Sequence, residues 1–334
     1  MKLLFSSPGF YPDIGGIENL VLHLAHYLSK KGHTIWIITD TIVKAPEDFP
    51  FKIYRNPSLR KRMELIQKSN LQVYFNLNKK EIIPFLLLRT PLVVSLHGPL
   101  KRGFLASIKK GLIKYKADAC TACSQFVANS CEGSVIIHSG YDNELFQKTN
   151  ERTRSQDIVF VGRLVPEKGC GLLLKSLVIL REMNISPTLS IIGNGPEKLR
   201  LINQVKILEL DKQVTFSGIK RGAELVEILN KHKILVIPSV WKEPFGIVAL
   251  EGIACGCLVI GSDGGGLKEA IGPCGITFPN GNANALATLL KTTLTNPGII
   301  DFHQKQAPEH LKKFQQDYIA ERYLNVFKDV LAKR

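Results

Sequence analysis

The 334-residue sequence contains no Asp-x-Asp pair, no His-Glu-x-x-His and no Gly-x-x-x-x-Gly-Lys-Ser/Thr. These absences disfavour a dedicated metal clamp on a diphosphate and a P-loop NTPase. No apolar run approaches the length of a bilayer span; the longest, residues 82–88, is broken by Pro84. The first residues, Lys2-Leu3-Leu4-Phe5-Ser6, read as a strand and not as a cationic leader with a cleavage site. Cysteine is sparse and odd in number: Cys120, Cys123, Cys131, Cys170, Cys255, Cys257 and Cys274. Scattered thiols fit a reducing cytoplasm better than a disulfide framework. Cys120-Thr121-Ala122-Cys123 has redox or zinc spacing, but no second pair or histidine partner follows it. Buried small residues at a strand end are expected there, with no metal.

The composition is that of a globular chain, 45% apolar and 22% charged, long enough for two domains of ordinary size. The net charge of +15 is unevenly spread. Residues 1–154 hold 22 Lys+Arg against 12 Asp+Glu, which is +10; the remainder holds 22 against 17, which is +5. The excess gathers in Arg60-Lys61-Arg62, Lys79-Lys80 and the acid-free set Lys101, Arg102, Lys109, Lys110, Lys114 and Lys116. A solvated helix face accounts for such a set, and so does a surface meeting an anionic membrane. Each basic residue near anionic lipid is worth ~1 kcal/mol. Nucleic acid would also satisfy the charge. No recognition-helix pattern, zinc knuckle or RNP-like aromatic strand accompanies it, so no nucleic-acid partner is expected.

Strand and helix signals alternate along the chain. Strands are expected at 3–6, 34–39, 92–96, 117–122 and 134–138, and again at 158–161, 188–192, 214–217, 234–237 and 258–260. An amphipathic repeat over 17–31, with Leu20, Leu24, Tyr27 and Leu28, stops at Gly32. Further helices are expected to start near Gly169, Glu197, Gly222, Gly246 and Gly266. Short apolar strands spaced by helices imply parallel sheets covered on both faces. The polar stretch 150–157 separates two such runs, giving domains at 1–150 and 151–314. Ligands of doubly wound sheets bind at the carboxyl ends of strands, so the cleft between the domains is the expected site.

Glu243 and Glu251, eight positions apart, bracket Pro244-Phe245-Gly246 where an apolar strand passes into a helix. The helix start suits a phosphate, because its N–H groups are unpaired and its end is partly positive. One carboxylate precedes that start and the other lies about a turn and a half inside it, so the two can reach opposite ends of a bound diphosphate compound. Arg163 and Lys168 follow the strand ending at Gly162 and flank Pro166. Cations at a strand's carboxyl edge suit a departing diphosphate. Gly15-Gly16 opens the first helix, as a tight turn or as a close backbone approach to a ligand. Gly193-Asn194-Gly195-Pro196 reads as a structural turn. His97 ends an apolar strand, in a structural role or near the substrate.

In series, Gly15-Gly16-Ile17-Glu18, His97-Gly98, Gly162-Arg163-Leu164 with Lys168-Gly169, Gly193-Asn194-Gly195-Pro196 and Glu243-Pro244-Phe245-Gly246 through Glu251 resemble the retaining glycosyltransferases of family 4. Ala254-Cys255-Gly256, Gly264-Gly265 and the closing stretch 318–324 match as well. The resemblance implies the GT-B fold, two doubly wound Rossmann-like domains facing each other across a cleft, with helix 315–332 packing back onto the first. It also implies a UDP-, GDP- or ADP-sugar donor and no metal cofactor. Glu251 would hold the ribose hydroxyls, Glu243 the hydroxyls of the transferred sugar, and Arg163 and Lys168 the diphosphate. Backbone N–H groups around Gly246, Ile247 and Val248, and of Gly15 and Gly16, would add to that grip, and His97 would lie against the sugar. Lys268 and Leu258 stand where the family commonly has proline. The acceptor is expected to be a cell-surface glycan or its lipid carrier, reached from the cytoplasm or the inner membrane face. The rival readings are a nucleotide-sugar epimerase of the same fold and a non-catalytic basic protein that binds membrane or nucleic acid.

Overall fold

The computed structural model describes every residue except Ile14, 44–47, 78–80, Ile82, Ile83, Phe85, Leu86, Leu88, Lys101, Arg102, 150–153 and Arg334. Lys79-Lys80, the start of the acid-free basic set, most of the apolar run 82–88 and the first part of the expected boundary 150–157 therefore lie outside the described residues. The chain forms two compact units, Met1–Gly140 with Gln315–Arg334, and Tyr141–Phe314.

Unit 1 carries the strands β1 (Lys2–Ser6), β2 (Thr34–Thr39), β3 (Lys52–Arg55), β4 (Leu71–Phe75), β5 (Leu92–Leu96), β6 (Ala119–Ala122) and β7 (Val135–Ile136). They form one parallel sheet in the order β3-β2-β1-β4-β5-β6-β7. Its helices among the described residues are α1 (Gly16–Lys30), α2 (Leu59–Lys68), α3 (Phe104–Lys116) and α4 (Gln125–Ala128). Ser58 and Ser124 cap α2 and α4 by accepting from Lys61 N and Val127 N. β3 and β4 are findings beyond the expected strands. Strand β4 lies beside β1 at the centre of the sheet and is buried throughout, so its sequence carries no alternation to signal it.

Unit 2 carries β8 (Gln156–Val161), β9 (Leu189–Ile192), β10 (Val214–Gly218), β11 (His232–Ile237), β12 (Leu258–Ser262) and β13 (Gly275–Phe278), all parallel, in the order β10-β9-β8-β11-β12-β13. Its helices are α5 (Cys170–Glu182), α6 (Lys198–Ile207), α7 (Gly222–Lys231), α8 (Ile247–Ala254), α9 (Leu267–Ile271), α10 (Ala283–Thr295), α11 (Gly298–Gln304) and α12 (Ala307–Lys312). The core joins Ile158, Phe160, Ile191, Ile234, Val236 and Ile260 of the sheet to Leu173, Leu177 and Leu180 of α5 and to Leu286 and Leu290 of α10. Fully burying such a side chain is worth ~1.5–3 kcal/mol, which fixes the strands' register and hence where their carboxyl ends deliver the loops.

The last helix, α13 (Gln316–Ala332), belongs to unit 1. Its buried Tyr323, Leu324, Phe327 and Val330 recur at helical spacing and join the core of β1, β4 and α1. Phe327 meets Phe5 at 6.2 Å between ring centroids, and Tyr27 Oη donates to Glu321 Oε2 at 2.7 Å. All seven cysteines are free; six are buried and Cys120 is half-buried. Among the described residues no cluster of His, Cys, Asp and Glu could hold a metal ion, and no helix is long and apolar enough to cross a membrane.

Candidate active site

The strand order of unit 2 reverses between β8 and β11. Chain connections leave those neighbouring strands in opposite directions, and open α/β sheets bind ligands at such a reversal. The loop after β8 carries Gly162, Arg163 and Lys168; the loop after β11 runs from Pro238 to Gly246. Backbone hydrogen bonds stitch these loops to their neighbours. Val240 N donates to Glu167 O at 2.9 Å, Leu164 N to Asn194 O at 2.9 Å, and Gly266 N to Glu243 O at 2.7 Å. Gly193 and Gly195 are required by packing: a Cβ on them would come within 1.9 Å of Gly162 O and 2.3 Å of Leu164 O. That agrees with a structural turn for Gly193-Asn194-Gly195-Pro196.

Glu243 is only 5% exposed. Its Oε1 accepts from Lys168 Nζ at 2.7 Å and from Ser239 Oγ at 2.6 Å, while Oε2 has no partner among the described residues. The ammonium offsets a charge that would be costly to bury alone. Lys168 Nζ also stands 5.9 Å from the Trp241 ring centroid, and its stem passes along Gly162. Arg163 is exposed, and among the described residues its guanidinium has no hydrogen bond or ion pair. Helix α8 follows Gly246, whose φ of 118° suits glycine. As its first two residues, Ile247 and Val248 have N–H groups with no carbonyl inside the helix to reach. Cations and a helix start thus belong to the two loops at the strand reversal, with acids before and behind.

Glu251 lies on α8, half-buried, and its carboxylate has no hydrogen-bond partner among the described residues. Burial, and then the charge of Asp142, raise its pKa from 4.5 to about 7. The folded chain therefore holds this proton where the unfolded chain has released it. The stability gained from holding it is complete below pH 4.5 and is lost as pH rises through about 7. Glu251→Gln removes the dependence. The variant's stability relative to wild type is expected to improve by roughly 2 kcal/mol across that window in chemical denaturation. A constant difference between the two proteins would contradict the assignment.

Residues 142–314 match the family described as Glycosyl transferases group 1, and residues 14–142 match Glycosyltransferase Family 4. The chain belongs to the glycosyl transferases group 1. Glycogen synthase of Mycobacterium tuberculosis (strain CDC 1551 / Oshkosh) is 31% identical over 180 residues, covering 53% of this chain and 43% of that protein. The D-inositol 3-phosphate glycosyltransferase of Rhodococcus erythropolis (strain PR4 / NBRC 100887) is 29% identical over 51% of this chain and 40% of its own length. The matched stretch thus spans less than half of each of these relatives. Among solved structures, Anabaena Alr3699/HepE in complex with UDP superposes with a TM-score of 0.84 at 20% identity, over 98% of this chain and 100% of that one. The fold is that of the GT-B glycosyltransferases, with two Rossmann-like sheets.

The remaining expected site residues of this chain lie in unit 1. Gly15 precedes α1 in extended conformation and Gly16 is its first residue; the Glu18 carboxylate lies against Gly9 and Gly15. Both glycines follow β1, at the reversal between β1 and β4. His97 follows β5, with its backbone N–H donating to Asn76 Oδ1 at 3.0 Å and its ring stacked on Phe75 at 6.0 Å. Sequence reasoning brought out neither Ser239 and Trp241 around the Lys168–Glu243 pair nor Asp142 near Glu251. A serine or tryptophan in a loop has no spacing signal; only the fold brings it to a carboxylate.

Proposed function

We propose that this chain is a retaining glycosyltransferase that moves a sugar from a nucleoside diphosphate sugar to an acceptor hydroxyl. The observation carrying the proposal is the ion pair of part-exposed Lys168 with the buried Glu243 carboxylate at the strand reversal, with Glu251 on the helix that follows. Relatives of the matched region are named as glycosyltransferases, and the Anabaena neighbour has been solved with UDP and glucose. In this reading Arg163, Lys168 and the N–H groups of Gly246, Ile247 and Val248 stabilise charge building on the leaving diphosphate. Those of Gly15 and Gly16 assist. Glu243 Oε2 accepts from a sugar hydroxyl, Glu251 from the ribose, and His97 contacts the transferred sugar. The diphosphate is neutralised by protein cations with no metal required, in keeping with a sequence that lacks Asp-x-Asp. The acceptor attacks the face from which the diphosphate departs, and the departing phosphate oxygen assists.

The test is a panel of UDP-, GDP- and ADP-sugars screened for thermal stabilisation, which a ligand bound only to the folded state produces. NMR then reads the anomeric configuration of the product, with and without chelator. An inverted product overturns retention, and loss of turnover with chelator overturns metal independence. Epimerised sugar from donor alone would favour the epimerase reading.

The acceptor is proposed to be a membrane-borne glycan or lipid-linked sugar, met at the inner face of the cell membrane. The support is α3, which exposes Lys110, Lys114, Ile108 and, at 83%, Tyr115. Anionic vesicles are expected to sediment the protein at low salt and release it at high salt; indifference to lipid charge would remove this part.

A further inference from the structure

Ser95, on β5, is fully buried, and its single hydroxyl meets three partners. Tyr323 Oη on α13 is 2.7 Å away, Thr121 Oγ1 on β6 donates to it at 3.0 Å, and His97 Nε2 lies at 2.9 Å. A serine hydroxyl has one proton to give and two lone pairs to fill. Three partners therefore saturate it only if two donate and one accepts. Thr121 fills one lone pair, so the choice lies between Tyr323 and His97. A phenol is the stronger hydrogen-bond donor and the weaker acceptor, whereas the bare ring nitrogen of a neutral imidazole is the best acceptor of the group. Burial lowers the pKa of His97 from 6.5 to about 4 and raises that of Tyr323 to about 12, so at neutral pH the imidazole is neutral and the phenol protonated. The self-consistent arrangement has Tyr323 and Thr121 donating to Ser95, and Ser95 donating to Nε2.

We infer that Tyr323 and Ser95 are positioning residues whose hydroxyls fix His97 as the Nδ1–H tautomer, leaving that N–H as an unspent donor for an oxygen of the bound sugar. Nδ1 has no partner among the described residues, while Phe75 and Asn76 hold the ring and backbone of His97 in place. The tautomer of a histidine is set by what its other nitrogen does, and here that nitrogen answers to the C-terminal helix. A neutral donor can hydrogen-bond a sugar oxygen without adding a positive charge beside an oxocarbenium-like centre. The inference rests on the proposed contact between His97 and the transferred sugar.

The test reads the tautomer directly, without substrate, from ring 15N shifts of 15N-histidine-labelled protein at pH 7, with the His97 signal assigned through His97→Gln. Wild type is expected to show a protonated Nδ1 and a bare Nε2. Tyr323→Phe, which keeps the ring and removes the hydroxyl, is expected to lower the Nδ1–H to Nε2–H ratio about fivefold, the effect of one net hydrogen bond. Ser95→Ala is expected to lower it at least as far, and it serves as the second variant should Tyr323→Phe fold poorly. A protonated Nε2 in wild type, or a ratio unmoved in the folded variants, overturns the inference. In the donor-sugar assay, Tyr323→Phe is expected to lower kcat while leaving nucleotide diphosphate affinity unchanged; a loss confined to nucleotide affinity contradicts it. The expected tautomer in a protein that turns over no sugar donor would refute the transferase reading while leaving the assignment of Tyr323 and Ser95 standing.

Discussion

Lys168→Ala is expected to lower kcat/KM for the sugar donor by about 10²–10³-fold, the usual cost of removing one group that stabilises developing charge. The same change removes the counter-charge from Glu243, whose carboxylate is only 5% exposed. Breaking such a pair from one side costs about 3 kcal/mol, because the remaining charge stays buried; the part-exposed Lys168 end trims that figure. A drop in activity could therefore come from lost cation chemistry or from a damaged fold. Adding Glu243→Gln separates them. The double variant has no orphaned charge, and the amide can still accept from Ser239 Oγ at the place where Oε1 now does. Stability is expected to return to within about 1 kcal/mol of wild type, while turnover stays low or falls further. Urea denaturation and initial rates on the two single variants and the double complete the cycle. If Lys168→Ala loses stability but keeps kcat/KM, the ammonium is a structural counter-ion and the diphosphate is held elsewhere.

The parallel, doubly wound class was legible because most strands are short apolar runs ending at glycine or a polar turn. The expected helix starts at Gly222, Gly246 and Gly266 stand within a residue of α7, α8 and α9. The expectation passed over β3, β4 and β13, for reasons of burial and length. β4 reads Leu-Gln-Val-Tyr-Phe with every residue buried, so no side alternates with solvent. β3 and β13 are four-residue edge strands whose side chains are largely half-buried. Within unit 2 the candidate site was legible where spacing carries chemistry. Strand-end placement singles out Lys168 and the helix start near Gly246 singles out Glu243, and the structure makes the two partners in one ion pair. The chain from His97 through Ser95 to Tyr323 was not legible, since its members are 228 positions apart at the extremes and meet only because α13 returns to the first sheet.

Gly169→Ala is expected to be strongly destabilising, at about 4 kcal/mol or more. Gly169 joins the turn Pro166–Lys168 to α5 with φ 68° and ψ 20°, a left-handed conformation that costs an alanine ~1–2 kcal/mol. Conformation alone is the smaller part. A Cβ at this position would stand 1.9 Å from Pro238 O and 2.8 Å from Pro238 C, both backbone atoms, so no side chain can swing away to relieve it. Either the loop after β8 or the loop after β11 must move. Gly281→Ala provides the control, because Gly281 has a similar φ of 77° but nothing within 4 Å of its Cβ position; it is expected to lose only about 1 kcal/mol. Denaturant midpoints of the two variants decide between strain and clash, and equal losses would mean that the approach to Pro238 relaxes freely. The displaced loop carries Ser239 and Glu243 on one side of the contact, and Lys168 precedes Gly169 on the other. Donor turnover per folded molecule should therefore fall in Gly169→Ala and hold in Gly281→Ala, which ties the close approach of the two loops to the geometry of the ion pair they carry.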